Sequence, residues 1–89
     1  MAVRRRVVVH GRVQGVFFRD SCERMARSAG VSGWVRNRND GAVEAVFEGE
    51  PDAVERIVGW ARQGPRRADV ERVEVFEEEP VGESGFRVR

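Results

Sequence analysis

The chain has 89 residues, with sixteen arginines, no lysine and a formal net charge of +1. A chain of this length fits one domain, residues 1–89, that buries a core without disulfides or metal ions, and its single cysteine, Cys22, excludes an intrachain disulfide. The near-neutral total disfavours a long nucleic-acid-binding track, and no apolar run is long enough for a signal-peptide core or a membrane span.

Charge and apolar residues are distributed unevenly. Residues 1–40 hold nine arginines against three acidic residues, whereas residues 41–89 hold seven arginines against twelve. The positive half would therefore attract a small anion. Seventeen valines, one isoleucine and no leucine favour strands, because β-branched side chains suit a pleated surface.

The first predicted strand covers residues 3–10 and leads into Gly11-Arg12-Val13-Gln14-Gly15-Val16-Phe17-Phe18-Arg19. Two glycines four residues apart allow a tight loop that directs several N–H groups to one point. The following helix has no Ser, Thr, Asn or Asp at its start to cap those groups, so an anion could serve as the cap. Arg19 would add a planar positive charge. We expect the neighbouring Asp20 to point away from this loop.

The alternative is an ordinary strand-to-helix turn in which water or a distant side chain binds the N–H groups. A nucleotide P-loop is excluded because the chain has no lysine to complete its Gly-Lys-Ser/Thr ending. The dinucleotide fingerprint is excluded because its third glycine is missing.

Residues 19–29 are predicted to form an amphipathic helix that ends at Gly30. Its buried stripe is expected to include Met25 and to hold Cys22 as a small core residue rather than a reactive thiol. His10, the only histidine, is interpreted as structural or surface-exposed in preference to a proton-transfer role.

The second and third predicted strands, residues 32–38 and 42–48, flank Asn39-Asp40-Gly41, a strong hairpin signal. The third strand should have one core face and one partly solvated face. A second helix starts at Pro51, buries Val54, Ile57, Val58 and Ala61 and stops near Gly64-Pro65.

A fourth strand is expected at residues 70–76, with a possible bulge, and residues 77–79 should form a solvated acidic loop. Phe86 and Val88 indicate a short closing edge strand. This order predicts an α+β fold, a two-layer ferredoxin-like βαββαβ sandwich with an antiparallel sheet and two helices on one face.

Asn37 lies near the end of the second predicted strand, where asparagine is disfavoured. Taken alone, the simpler explanation is that Asn37 helps to begin the turn. The functional alternative is that its carboxamide, which both donates and accepts hydrogen bonds, holds a water molecule.

The segment from Gly11 to Arg19, together with Gly33-Trp34-Val35-Arg36-Asn37-Arg38-Asn39-Asp40-Gly41-Ala42-Val43-Glu44, closely resembles the two signature blocks of the acylphosphatase family. The resemblance covers nearly the whole chain in length, element order and spacing. It implies a cytoplasmic hydrolase that cleaves acyl phosphates without metal or other cofactor and without a phosphoenzyme.

The resemblance also implies roles for individual residues. Arg19 and loop amides from the stretch Gln14, Gly15, Val16, Phe17 and Phe18 would bind the phosphoryl group, and Asn37 would orient the attacking water. We expect a monomer that binds a small acyl phosphate, is inhibited by its product inorganic phosphate, and has no nucleic-acid or membrane partner. The rival hypothesis is a non-catalytic module of the same fold that binds phosphate, or RNA through sheet aromatics such as Trp34 and Phe47.

Overall fold

The computed structural model describes all residues from 1 to 89, and the chain forms five strands and two helices joined by loops. In chain order these elements are β1 (Val3–Arg12), α1 (Phe18–Ala29), β2 (Ser32–Asn37), β3 (Val43–Gly49), α2 (Pro51–Ala61), β4 (Asp69–Glu78) and β5 (Phe86–Val88). The strands form one sheet in the order β4-β1-β3-β2-β5, and both helices contribute to the core on one face of it. The predicted ferredoxin-like α+β fold is confirmed.

The sheet is mixed rather than wholly antiparallel. The pairs β1–β3, β1–β4 and β2–β3 are antiparallel as predicted, but β5 lies parallel to β2, with Gly33 opposite Phe86 and Val35 opposite Val88. After β4 the chain crosses to the far edge of the sheet before β5 begins, so β5 enters in the direction of β2. This pairing brings the C-terminal segment next to the end of β2.

The core lies between the sheet and the helices and is built mainly from valine, alanine and phenylalanine. The predicted buried face of α2 is confirmed. In α1 the prediction for Met25 is wrong, since 42% of that residue is exposed. The helix begins one residue earlier than expected, and its fully buried residues are Phe18, Cys22 and Ala26, spaced four apart. A stripe with this spacing leaves Met25 at its margin.

The face of the sheet that carries no helices is less exposed to solvent than the sequence predicts. Glu44 and Glu48 on β3 were expected on a partly solvated face, but both are buried. Arg6 and Arg36 cover Glu44, with nitrogen–oxygen distances of 3.3 and 2.6 Å. Buried carboxylates require such partners, and here the neighbouring strands supply them as arginines.

The predicted acidic loop is also partly wrong, because Glu77 and Glu78 belong to β4. The Glu78 carboxylate accepts hydrogen bonds from Arg4 and Arg6 across the sheet at 3.0 and 2.9 Å. The predicted bulge in β4 is confirmed: His10 pairs with Arg72 while Gly11 pairs with Val70. Pairing continues past the bulge, so β1 extends beyond residue 10.

Candidate functional site

The loop between β1 and α1 has an unusual main chain. Gly15 and Phe17 both have left-handed conformations, with φ of 74° and 65°, and Phe17 is the only non-glycine residue in the chain with positive φ. For a non-glycine residue such as Phe17 this conformation costs on the order of 1 kcal/mol and is concentrated at functional sites. No intramolecular hydrogen bond uses the N–H groups of residues 14 to 20, and α1 lacks a side-chain cap. Consecutive free donors at a helix start form an anion-binding concavity.

Arg19 lies in the first turn of α1, where the loop presents its N–H groups. The side chain is exposed, and its guanidinium makes no ion pair or hydrogen bond with another residue. Its five donors are therefore available to a ligand, in a planar arrangement that matches two oxygens of a tetrahedral anion.

Asn37 is the last residue of β2 and is paired with Val43, a core residue of β3. This register places Asn37 on the face of the sheet that carries the helices. Its carboxamide forms no hydrogen bond within the protein, and the residue is half-buried. The predicted hairpin follows directly, closed by a hydrogen bond of 2.8 Å from the Arg38 N–H to the Ala42 carbonyl. The main chain at the end of β2 is therefore held by hydrogen bonds, whereas the Asn37 side chain has no partner within the protein.

The structure brings Arg19 and Asn37 to the same open cleft of about 460 Å³. Gly15, Phe17 and Phe18 from the loop and helix start also line it. Of the residues singled out from the sequence, these five converge on one site. A guanidinium and a helix N-terminus lie on one side of the cleft, and a carboxamide from the sheet completes it.

Gln14 and Val16 do not line the cleft. The Val16 side chain is buried in the core, and the Gln14 side chain turns towards the hairpin, where Nε2 donates to the carbonyls of Arg38 and Ala42. Both residues can serve the site through their main-chain N–H groups. Their side chains instead fix the loop to the rest of the fold.

Asp20 borders the cleft, so the residue lies close to the loop, and the direction of its side chain stays a prediction. Its carboxylate lies 3.2 Å from Arg24, one helical turn further on. This ion pair offsets part of the negative charge that Asp20 brings to the site.

Sequence reasoning missed two apolar residues of the cleft, Val13 and Val88. Val88 was assigned correctly to a short closing strand, but nothing in three residues indicates which strand they pair with. The parallel pairing with β2 delivers Val88 to the site.

The remaining candidate groups lie elsewhere. His10 Nε2 is 2.7 Å from Glu74 Oε1 on the helix-free face, in agreement with a structural role. Cys22 is fully buried, and burial, followed by the nearby charge of Glu23, raises the pKa of its thiol far above the usual range. A thiol with so high a pKa is unreactive. None of the helices is long and apolar enough to cross a membrane.

The fold and the site together define a two-layer α+β protein with a loop of free N–H groups at the start of its first helix. Comparison with known proteins gives the family. The Acylphosphatase family model matches residues 5–88, and the chain belongs to the acylphosphatase family.

Individual relatives match nearly the full length of this chain. The chain is 59% identical to an acylphosphatase of Thermococcus kodakarensis over 97% of this chain and 94% of that one. It is 63% identical to an acylphosphatase of Rubrobacter xylanophilus over 94% and 77% of the two chains. The solved structure of an acylphosphatase from Coxiella burnetii superposes with a TM-score of 0.95 at 40% identity, covering 99% of this chain and 93% of that one.

Proposed function

We propose that residues 1–89 form a single catalytic domain that hydrolyses the carboxyl–phosphate bond of acyl phosphates, giving a carboxylate and inorganic phosphate. Acylphosphatase activity follows from membership of the family and from relatives of that name at 59% and 63% identity. The observation that supports our assignment of residues is the meeting of free loop N–H groups, an unpaired Arg19 and an unpaired Asn37 carboxamide at one cleft.

In this proposal the N–H groups of residues 14–18 and the Arg19 guanidinium hold the phosphoryl oxygens. Phosphoryl transfer depends mainly on positioning and on stabilising charge on the equatorial oxygens. Main-chain donors fixed by the fold need little reorganisation as that charge develops, so they favour the transition state.

Asn37 is assigned to the attacking water. Its carboxamide oxygen accepts a hydrogen bond from the water, whose own oxygen then attacks phosphorus in line with the bond that breaks. The phosphorus–oxygen bond to the acyl group breaks with its electron pair, so the leaving group departs as a carboxylate. The proton lost by the water goes to a phosphoryl oxygen.

The leaving group explains why no general acid is needed. A carboxylate whose acid has a pKa of about 4.3 departs without protonation, unlike the alkoxide of a phosphate monoester. We therefore propose that phosphate monoesters are poor substrates. The proposed chemistry uses neither a metal ion nor a phosphoenzyme.

The rival RNA-binding function is not favoured. Phe47 is fully buried against Phe86 and cannot stack on a base. The Trp34 ring is covered by Arg89, whose Cζ lies 4.6 Å from the ring centroid. Absence of nucleic-acid partners, a monomeric state and a cytoplasmic location stay predictions.

The test is hydrolysis of acetyl phosphate with EDTA present. Wild-type turnover should survive chelation, and kcat should fall by about 1,000-fold in Arg19→Ala and about 100-fold in Asn37→Ala. Arg56→Ala on α2 and Asn39→Ala in the hairpin are matched controls, since both residues are exposed and neither lines the cleft. A folded wild-type protein without turnover would favour the binding module. Turnover that EDTA abolishes would refute the metal-free chemistry.

A further inference from the structure

The cleft carries exposed apolar side chains that the proposed chemistry does not use. Phe17 is 65% exposed at the loop, and Val88 is 40% exposed on β5. Single exposed apolar residues are common on protein surfaces. These two, however, come from opposite ends of the chain and line the same cleft as Arg19.

The neighbouring residue, Phe18, has a clear role in the fold. Phe18 is buried and its ring packs against Trp60, with 5.2 Å between ring centroids. Phe17 lies outside the core cluster and pairs with no other ring, although an aromatic side chain has a large apolar area to bury. Folding therefore does not account for a phenyl ring at position 17, least of all in a left-handed conformation that disfavours large side chains.

The charges of the cleft give a second, independent indication. Arg19 is the only cationic residue that lines it, and Asp20, whose carboxylate is paired with Arg24, is the only acidic one. Once the phosphoryl group occupies Arg19, a second anionic group on the substrate finds no counter-charge in the cleft and meets Asp20 instead. An apolar group meets neither penalty.

We propose that Phe17 and Val88 form an acyl-binding surface, and that the preferred substrates are acyl phosphates of monocarboxylic acids with an apolar aliphatic or aromatic group. The inference rests on the proposed function of the same cleft. With the phosphoryl group at Arg19 and the loop amides, the acyl chain lies against the Phe17 ring and the Val88 side chain. Substrates with a second negative charge are disfavoured.

The first experiment compares straight-chain acyl phosphates from acetyl to hexanoyl, whose parent acids are nearly equally acidic. A longer chain then increases the apolar contact area while the basicity of the leaving carboxylate stays nearly constant. We expect kcat/KM to rise about 16-fold across the four added methylenes, roughly twofold for each, because an open cleft covers only one side of the chain. The gain should come mainly through KM, since the contact exists in both ground and transition states.

A second comparison isolates charge. Butanoyl phosphate and succinyl phosphate have four acyl carbons each, but succinyl phosphate carries a second carboxylate. We expect kcat/KM to be about 10-fold lower for succinyl phosphate. Equal or faster turnover of succinyl phosphate would overturn the proposed preference.

The variants test the two side chains through the hexanoyl-to-acetyl ratio of kcat/KM, which cancels changes in the shared phosphoryl site. Phe17→Ala keeps the main-chain N–H and should lower this ratio at least threefold, whereas Phe17→Tyr keeps the ring and should retain it. Val88→Ala should lower it about twofold. Val81→Ala is the control, because Val81 is 68% exposed on a loop outside the cleft.

The outcomes separate the two proposals. A wild-type protein that hydrolyses acetyl phosphate at the same kcat/KM as hexanoyl phosphate would overturn the acyl-binding surface and leave the proposed function intact. An unchanged ratio in both Phe17→Ala and Val88→Ala would do the same. A protein that hydrolyses none of the series would overturn the proposed function itself.

Discussion

The side-chain amide of Gln14 donates a hydrogen bond of 2.8 Å to the main-chain carbonyl of Arg38, the residue that follows Asn37. A second bond of 3.0 Å runs from the same nitrogen to the carbonyl of Ala42. These are the two residues that close the β2–β3 hairpin. One side chain thus joins the loop before α1 to the strand end that presents Asn37, and we expect the relative position of these two segments to depend on it.

Gln14→Ala should therefore reduce activity more than stability. Both carbonyls keep a main-chain donor, so we expect the free energy of unfolding to fall by only about 1 kcal/mol. Loss of alignment between loop and strand should lower kcat about 10-fold. Denaturant unfolding and acetyl phosphate hydrolysis measure the two effects. Gln63→Ala is the control, since Gln63 is exposed and its side chain makes no hydrogen bond. A wild-type kcat in Gln14→Ala would refute the linking role.

Arg19→Lys should lose most of the activity, although the charge is kept and the loss is smaller than in Arg19→Ala. A lysine ammonium is a point charge and cannot place two parallel N–H donors on a phosphoryl group. We expect kcat/KM for acetyl phosphate to fall about 100-fold. The control is Arg56→Lys, at an exposed position on α2. A loss in Arg19→Lys of less than about threefold would show that charge alone matters at this position.

Local patterns were sufficient to predict most of the fold. The α2 stripe and the Asn39–Gly41 hairpin depend on residues close in sequence, and both were predicted correctly. The burial of Glu44 was missed because it depends on Arg6 and Arg36, which reach it from neighbouring strands. The parallel pairing of β5 was missed for the same physical reason, since a three-residue strand carries no information about its partner.

The candidate site divides in a similar way. The free helix start and the positions of Arg19 and Asn37 were predictable, because a missing cap is visible in sequence and two motif blocks resemble a known family. The left-handed Phe17 was not predictable, since glycine is the residue expected in that conformation. Val88 reaches the cleft only through tertiary pairing. The half of the site that we propose binds the phosphoryl group could thus be predicted from the sequence, whereas its apolar lining required the structure.

Glu48 gives a prediction about acid stability. Its buried carboxylate accepts hydrogen bonds from the N–H groups of Val81, Gly82 and Glu83, at 3.0, 2.8 and 2.9 Å, and from Arg4 at 3.1 Å. Burial by itself would raise the pKa of Glu48, but the N–H groups and Arg4 outweigh it and hold the pKa below its ordinary value. These bonds anchor the segment that leads to β5.

A carboxyl group with a lowered pKa in the folded state stabilises the protein above its unfolded pKa of about 4.3, and this contribution is lost as the pH falls through the folded value. Glu48→Gln should therefore lower the free energy of unfolding by about 2 kcal/mol at pH 7. The difference from wild type should shrink steadily below about pH 4.3. The control Glu79→Gln removes the same charge from an exposed residue with no partner. A difference that does not change with pH would show that the carboxylate charge is not responsible.

Binding of inorganic phosphate tests the anion site without turnover. A ligand that binds only the folded state raises the free energy of unfolding, by about 2.7 kcal/mol at a concentration of 100 Kd, so phosphate should raise Tm in a concentration-dependent way. Phosphate should also inhibit acetyl phosphate hydrolysis competitively, because product and substrate share the loop amides and Arg19. Arg19→Ala should lose the Tm increase, whereas Arg56→Ala should keep it. Sulfate, which has the same tetrahedral shape, should also raise Tm and inhibit. An equal Tm increase in wild type and Arg19→Ala would place the bound anion outside this cleft.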